Sequence, residues 1–227
     1  MNAVVLYANP KDGGFVHGCL DAIAERLAAG GAAVEHRHLK DEGIADCTGC
    51  FACLHSGRCV LDDGMNDLCE RLRAADALVI GCSVRNGGVT ALYKRFYERI
   101  TYPLIFTGDL TGTHVLSVSA VGKMGGRRAT AKLLGLRGTG AYPAGHLFFH
   151  TGIPTDKAPA DVAPRLDAAA DRLAERVRAR RRPGPLWHLA RRLDRAVMAR
   201  LLFAKDPDLY AHVLDRYRQH GWLKPKA

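Results

Sequence analysis

Residues 77–90 read Ala77-Leu78-Val79-Ile80-Gly81-Cys82-Ser83-Val84-Arg85-Asn86-Gly87-Gly88-Val89-Thr90. An unbroken apolar run predicts a strand buried on both faces. A glycine-rich loop follows, and then helical spacing over Thr90–Ile100. The same unit recurs in both directions along the chain. Upstream, Ala3–Ala8 reads as a buried strand. Phe15–Ala29 carries Leu20, Ile23, Ala24 and Leu27 at helical spacing and stops at Gly30-Gly31. Ala33–His38 is a weaker strand, and Met65–Ala74 a helix with Met65, Leu68, Cys69 and Leu72 on one side. Downstream come a strand at His114–Ala120, a helix at Arg127–Leu136, a fifth strand at Ala144–Phe149 and a long charged helix at Ala160–Arg182. Strands alternating with helices predict an α/β fold: a doubly wound five-stranded parallel sheet in three α/β/α layers. Such sheets bind ligands beyond the carboxyl ends of their strands. Functional residues are therefore expected just after Ala8, Gly81 and Ala120.

At 227 residues and 48% hydrophobic, the chain suits one domain with an appendage, and disordered or fibrous compositions are excluded. Pro183-Gly184-Pro185 breaks the chain, dividing a body (1–182) from a helical extension (183–227). The net charge of +10 is uneven. Residues 1–177 hold 20 Lys/Arg and 19 Asp/Glu, net +1, while 178–227 hold 13 and 4, net +9. No apolar run approaches a membrane span, and the first residues lack a basic region ahead of a long apolar stretch, so the expected location is cytoplasmic. There the seven cysteines are expected reduced, and a cysteine cluster implies metal or redox chemistry.

Three strand-end loops carry the candidate ligand site. The first, Asn9-Pro10-Lys11-Asp12-Gly13-Gly14, opens a helix at Phe15-Val16. A glycine turn at a helix N-terminus offers backbone N–H groups and the positive dipole end to a phosphate. The second contributes Val84, Arg85, Asn86 and Gly87, and the third Ala120, Val121, Gly122 and Gly125. Glycines there allow close approach to a flat ring. A mononucleotide is the natural occupant; three ordinary turns are the alternative.

The sharpest motif is Cys47-Thr-Gly-Cys50-Phe-Ala-Cys53-Leu-His-Ser-Gly-Arg-Cys59, a C-x2-C-x2-C-x5-C spacing. Its opening is shared with ferredoxin-type iron–sulfur runs. Zinc knuckles usually stand farther apart. Zinc and metal-free thiols remain open at this point. Cys19 and Cys69 read as core residues and Cys82 as packed at a strand end. His36 and His38 read as exposed strand residues, His55 as a solvated loop residue, and Asp62-Asp63 as a cap for the Met65 helix.

These residues resemble the flavodoxin-like NAD(P)H-dependent FMN reductase family, and within it the iron–sulfur flavoproteins. The likeness is carried by Asn9-Pro10-Lys11, by the four cysteines followed by Val60-Leu61-Asp62-Asp63-Gly64-Met65, by Ala74-Ala75-Asp76-Ala77, and by Lys94 with Glu98-Arg99, over about residues 3–175. It implies a flavodoxin-like sheet, FMN at the three loops, a [4Fe–4S] cluster at Cys47, Cys50, Cys53 and Cys59, NAD(P)H as electron donor, and a homo-oligomer. The family's phosphate loop reads Ser-Pro-Arg-x-x-Gly-Asn-Ser/Thr. Here Asn9, Lys11 and Phe15-Val16 stand in its place, leaving backbone N–H groups to hold the phosphate. Arg85 stands where the family carries a Pro-x-Tyr loop and is suited to stack on the ring or to donate to its carbonyls.

The expected function is flavin-dependent electron transfer, with no acid, base or nucleophile required. The alternatives are a cluster-free NAD(P)H:FMN or quinone reductase, and a flavin-less binding module acting through its basic tail. Within that tail Leu186–Phe203 is apolar at 186, 189, 190, 193, 197 and 201, with Arg191, Arg192, Arg195 and Arg200 off the stripe. The stripe is expected to be buried against the body or a second copy, ahead of a membrane surface, with nucleic acid further back. Its arginines would then face solvent and an acidic partner such as a ferredoxin.

Overall fold

The computed structural model describes residues 1–224. Five strands run β1 (Asn2–Tyr7), β2 (Ala33–His38), β3 (Ala77–Ser83), β4 (His114–Val121) and β5 (Tyr142–His150). They form one sheet in the order β2-β1-β3-β4-β5, and every pairing is parallel. That order is the flavodoxin one, with its switch point between β1 and β3.

The sheet is covered on both faces, so its central strands are apolar throughout. One face packs on α1 (Phe15–Ala29) and α6 (Ala163–Arg178). The other packs on α3 (Met65–Ala74), α4 (Ala91–Arg99) and α5 (Arg127–Leu134). Gly81 sits where α1 crosses β3, and a Cβ there would stand 2.5 Å from the Leu20 side chain. Thr90 caps α4 by accepting the Tyr93 N–H, and its hydroxyl donates to the Ala8 carbonyl at 2.7 Å, tying the β1 and β3 loops together.

Some boundaries differ from the sequence reading. The helix expected over 160–182 is a 3-10 turn (Pro159–Val162) followed by α6, because Pro164 supplies a helix start of its own. A π-helical turn (Thr101–Phe106) extends α4 across Pro103. A short helix α2 (Ala52–Ser56) lies inside the cysteine block. A further helix, α8 (Ala211–Gln219), follows a turn over 207–210.

The extension makes a third apolar core. Phe203, Val213, Leu214 and Tyr217 enclose Leu54 of α2 together with Ala199 of α7 (Pro185–Leu201). The orientation of α7 reverses the expectation: within the chain its apolar stripe faces solvent and Arg195 faces inward. Arg195 donates to the carbonyls of Phe106 (3.1 Å), Ile105 (2.9 Å) and Gly138, and to the Tyr217 hydroxyl (3.2 Å). The π-helical turn leaves carbonyls at its end without helical partners, and a guanidinium satisfies them where leucine would not.

Candidate functional site

The three glycine loops meet in one open cavity of about 720 Å³ at the carboxyl ends of β1, β3 and β4. Asn9, Lys11, Gly13, Gly14, Phe15, Val16, Val84, Arg85, Asn86, Gly87, Ala120, Val121 and Gly122 all line it. Gly125 does not: past the Lys123-Met124 tip it borders a neighbouring hollow with Gly87, Gly126 and Phe148. The loop after β5, Thr151-Gly152-Ile153-Pro154-Thr155, also lines the cavity and was missed in the sequence. The strand-end rule applied to the fifth strand would have found it.

The mouth of α1 has the chemistry of an anion site. Gly14 precedes the helix at φ 86°, with no side-chain cap and no acidic residue in the first turn. Its first N–H groups therefore lack a side-chain partner at the positive end of the dipole. A Cβ on Gly13 or Gly14 would meet nothing within 4 Å, so both border open space. Asp12, the loop's carboxylate, is drawn to Lys40 at 2.5 Å. Asn9 Oδ1 accepts the Ser83 N–H at 2.9 Å and pins the first loop to the second. There Arg85 and Gly88 exchange backbone bonds of 3.0 and 2.9 Å, closing a tight turn through Asn86 and Gly87, both at positive φ.

Beside the first loop, His36 is exposed as expected, while His38 is half-buried. Tyr7 stacks on His38 with 4.2 Å between ring centres, and its hydroxyl lies 2.8 Å from His36 Nδ1.

The four cysteines line a second, smaller pocket with Phe51, Arg99 and Tyr102. Gly49, Phe51 and Gly57 all have positive φ, and these reversals curl the segment around the pocket. All four thiols are free; Cys47 and Cys50 are exposed, Cys53 and Cys59 partly buried. Among the described residues no three of the four sulfurs lie within 4.8 Å of one another. Asn66 holds Cys59 by two backbone bonds of 2.9 Å. Arg99, at the end of α4, donates to Cys59 Sγ at 3.1 Å and to both oxygens of Asp63 at 2.9 and 3.0 Å. The N-cap of α3 is Gly64 and not an aspartate as expected; Asp63, one residue earlier, accepts the Met65 N–H at 3.1 Å and pairs with this buried cation. Burial, and then the neighbouring Cys59, Cys47 and Cys50, push the Cys53 thiol up to about 11. The Ala52 N–H, the Thr48 hydroxyl and the Arg99 charge pull Cys50 below the ordinary thiol range. Four thiols on one pocket with a guanidinium beside them are a sulfur donor set suited, once deprotonated, to a metal centre. His55 is exposed as expected, though it sits on α2 rather than in a loop, and its Nδ1 lies 2.8 Å from the Asp208 carbonyl, so the extension also touches the block here. Cys19, Cys69 and Cys82 are buried as expected.

Against known proteins, residues 1–151 match the model of the NADPH-dependent FMN reductase family. The chain belongs to this family. An iron–sulfur flavoprotein of Archaeoglobus fulgidus is 35% identical over 100 residues, covering 44% of this chain and 46% of that protein. An iron–sulfur flavoprotein of Methanosarcina thermophila is 27% identical over 99 residues, covering 44% and 52%. The chain thus spans about half the length of the curated relatives it matches. Among solved structures, an NAD(P)H:quinone oxidoreductase from Methanothermobacter marburgensis superposes with a TM-score of 0.62 at 19% identity, covering 76% of this chain and 96% of that one. A flavodoxin from the domain Archaea gives 0.51 at 15%, covering 78% and 99%. These likenesses establish the flavodoxin-like fold. The family is one of flavin oxidoreductases, and FMN fits the cavity formed by the uncapped helix and the glycine loops. Among the described residues no helix is long and apolar enough to cross a membrane.

Proposed function

We propose that this chain is an FMN-dependent oxidoreductase that draws electrons from NAD(P)H and holds a [4Fe–4S] cluster at Cys47, Cys50, Cys53 and Cys59. The observation that carries the flavin half is the uncapped N-terminus of α1, opening into a cavity of about 720 Å³ walled by glycine loops. The cluster half is supported by four free cysteines lining one pocket at the C-x2-C-x2-C-x5-C spacing.

When bound, FMN accepts a hydride as an electron pair and releases electrons singly, and an iron–sulfur cluster carries one electron at a time. The chain's residues do the placing. Backbone N–H groups at Gly14–Val16 and the Lys11 ammonium hold the phosphate. Arg85, on the turn closed by Gly88 and lining the cavity, would supply positive charge to a bound flavin. Arg99, with its charge balanced by Asp63, places an N–H on Cys59 Sγ, and hydrogen bonds to a ligating sulfur tune a cluster's potential.

Anaerobic purification with ultraviolet–visible spectra and flavin, iron and sulfide analysis tests the reading. Flavin together with iron and sulfide in equal amounts is expected. Flavin alone, even after anaerobic reconstitution, would leave a cluster-free NAD(P)H:FMN or quinone reductase. A protein that takes up neither would sink the proposal.

A further inference from the structure

Six of the ten exposed large apolar side chains among the described residues lie in or just after one helix: Leu186, Leu189, Leu193, Val197, Leu201 and Leu202, exposed by 43 to 81%. The first five fall at helical spacing on the outward face of α7, while Arg195 and Ala199 are buried on the inward face. Exposed Arg192 and Arg200 lie along one shoulder of the stripe, three residues after Leu189 and Val197, and Asp194 borders the other. Just upstream Arg178, Arg180, Arg181 and Arg182 are also exposed. From 178 to 205 the chain holds nine Lys/Arg and a single acid, Asp194.

We infer that α7 docks on an anionic phospholipid surface, its leucine stripe entering the headgroup–acyl boundary and its arginines pairing with lipid phosphates. A helix with an apolar face and basic flanks lies in that plane without spanning the bilayer. Two other occupants fit less well. A second copy pairing through α7 alone buries a strip roughly 25 Å by 10 Å per chain, about 500 Å² in total, against at least about 1,200 Å² for a stable interface. Pairing would also bring two arginine-rich segments together. Nucleic acid would use the arginines and leave the leucines in water. The rest of the fold permits the docking. The N-terminal part of α7 packs by Trp187 and His188 on Tyr142, the first residue of β5, at the end of the sheet opposite the flavin loops. The cavity therefore stays open while α7 is engaged.

The test is sedimentation of the full chain with vesicles of phosphatidylcholine, with or without one-third phosphatidylglycerol. Binding to the anionic vesicles is expected, falling about tenfold without the anionic lipid or in high salt. Leu189→Asp with Leu193→Asp, both at exposed positions, is expected to abolish binding while circular dichroism stays unchanged. Arg192→Glu with Arg200→Glu is expected to weaken binding to the anionic vesicles. No binding to anionic vesicles, or binding unaffected by the leucine pair, overturns the inference. So does a dimer on gel filtration that the leucine pair disperses when vesicles are not bound.

Discussion

Asp109 joins the body to the extension, and replacing it with asparagine measures that joint. Its carboxylate is buried, 3.0 Å from Arg73 Nε on α3 and 2.7 Å from Arg216 Nε on α8, with His220 Nε2 at 3.6 Å. Burial alone would raise its pKa, but His220, Arg216 and Arg73 outweigh it and hold the group at about 2, against an ordinary 3.8. That difference corresponds to about 2–3 kcal/mol of stability from the charged form. A lowered folded pKa contributes in full above the unfolded value and is lost as pH falls through the folded one. Asp109→Asn should therefore cost about 2–3 kcal/mol at pH 7, and the gap to the unaltered protein should shrink to about half at pH 3. Urea unfolding of both proteins at the two pH values reads it directly. A penalty below about 0.5 kcal/mol at pH 7, or one that does not shrink in acid, would show that the carboxylate is not what clamps α8.

Arg99→Met strands Asp63 without its cation and should cost about 3–5 kcal/mol in urea melts, while Arg99→Met with Asp63→Asn should recover part of it. Lys11→Glu places a negative charge at the phosphate end of the cavity, and flavin fluorescence titration should show FMN affinity at least about tenfold weaker with an unchanged melting temperature. Burial, and then the charge of Arg127, lower the His146 pKa to about 4, and its ring nitrogens engage Ser117 (2.8 Å) and Ser119 (3.2 Å). The unfolded chain therefore binds the extra proton between pH 6.5 and 4, so stability should fall with acid across that window. His146→Gln should flatten that slope in thermal melts taken at successive pH values.

The body was legible because its boundaries are local. Phe15–Ala29, Ala33–His38 and Met65–Ala74 appear as read, since glycine stops and apolar periods end where the elements do. Tyr142 and Pro143 join β5 through pairing with His114 and Val115, a long-range fact that no periodicity carries. The flavin loops followed from strand ends alone. The Arg99–Asp63–Cys59 contact needed the fold, because it joins residues up to 40 apart. Burial of the tail's stripe against the body did not hold for a related reason. A leucine stripe shows that one face is apolar but not what meets it. Here the carbonyls at 105, 106 and 138, about 60 to 90 residues away, took Arg195 instead.

The extension's grip on the cysteine block sets an order of assembly. Leu54 is enclosed by residues from 199 to 217, and Gly57 lies against His212. On a growing chain the flavin loops can be complete while these late residues are still unmade. Until they emerge, the cysteines have only the α4 side of their enclosure. The three site loops can thus be complete first, while the cysteine block stays open on the side that α8 later closes.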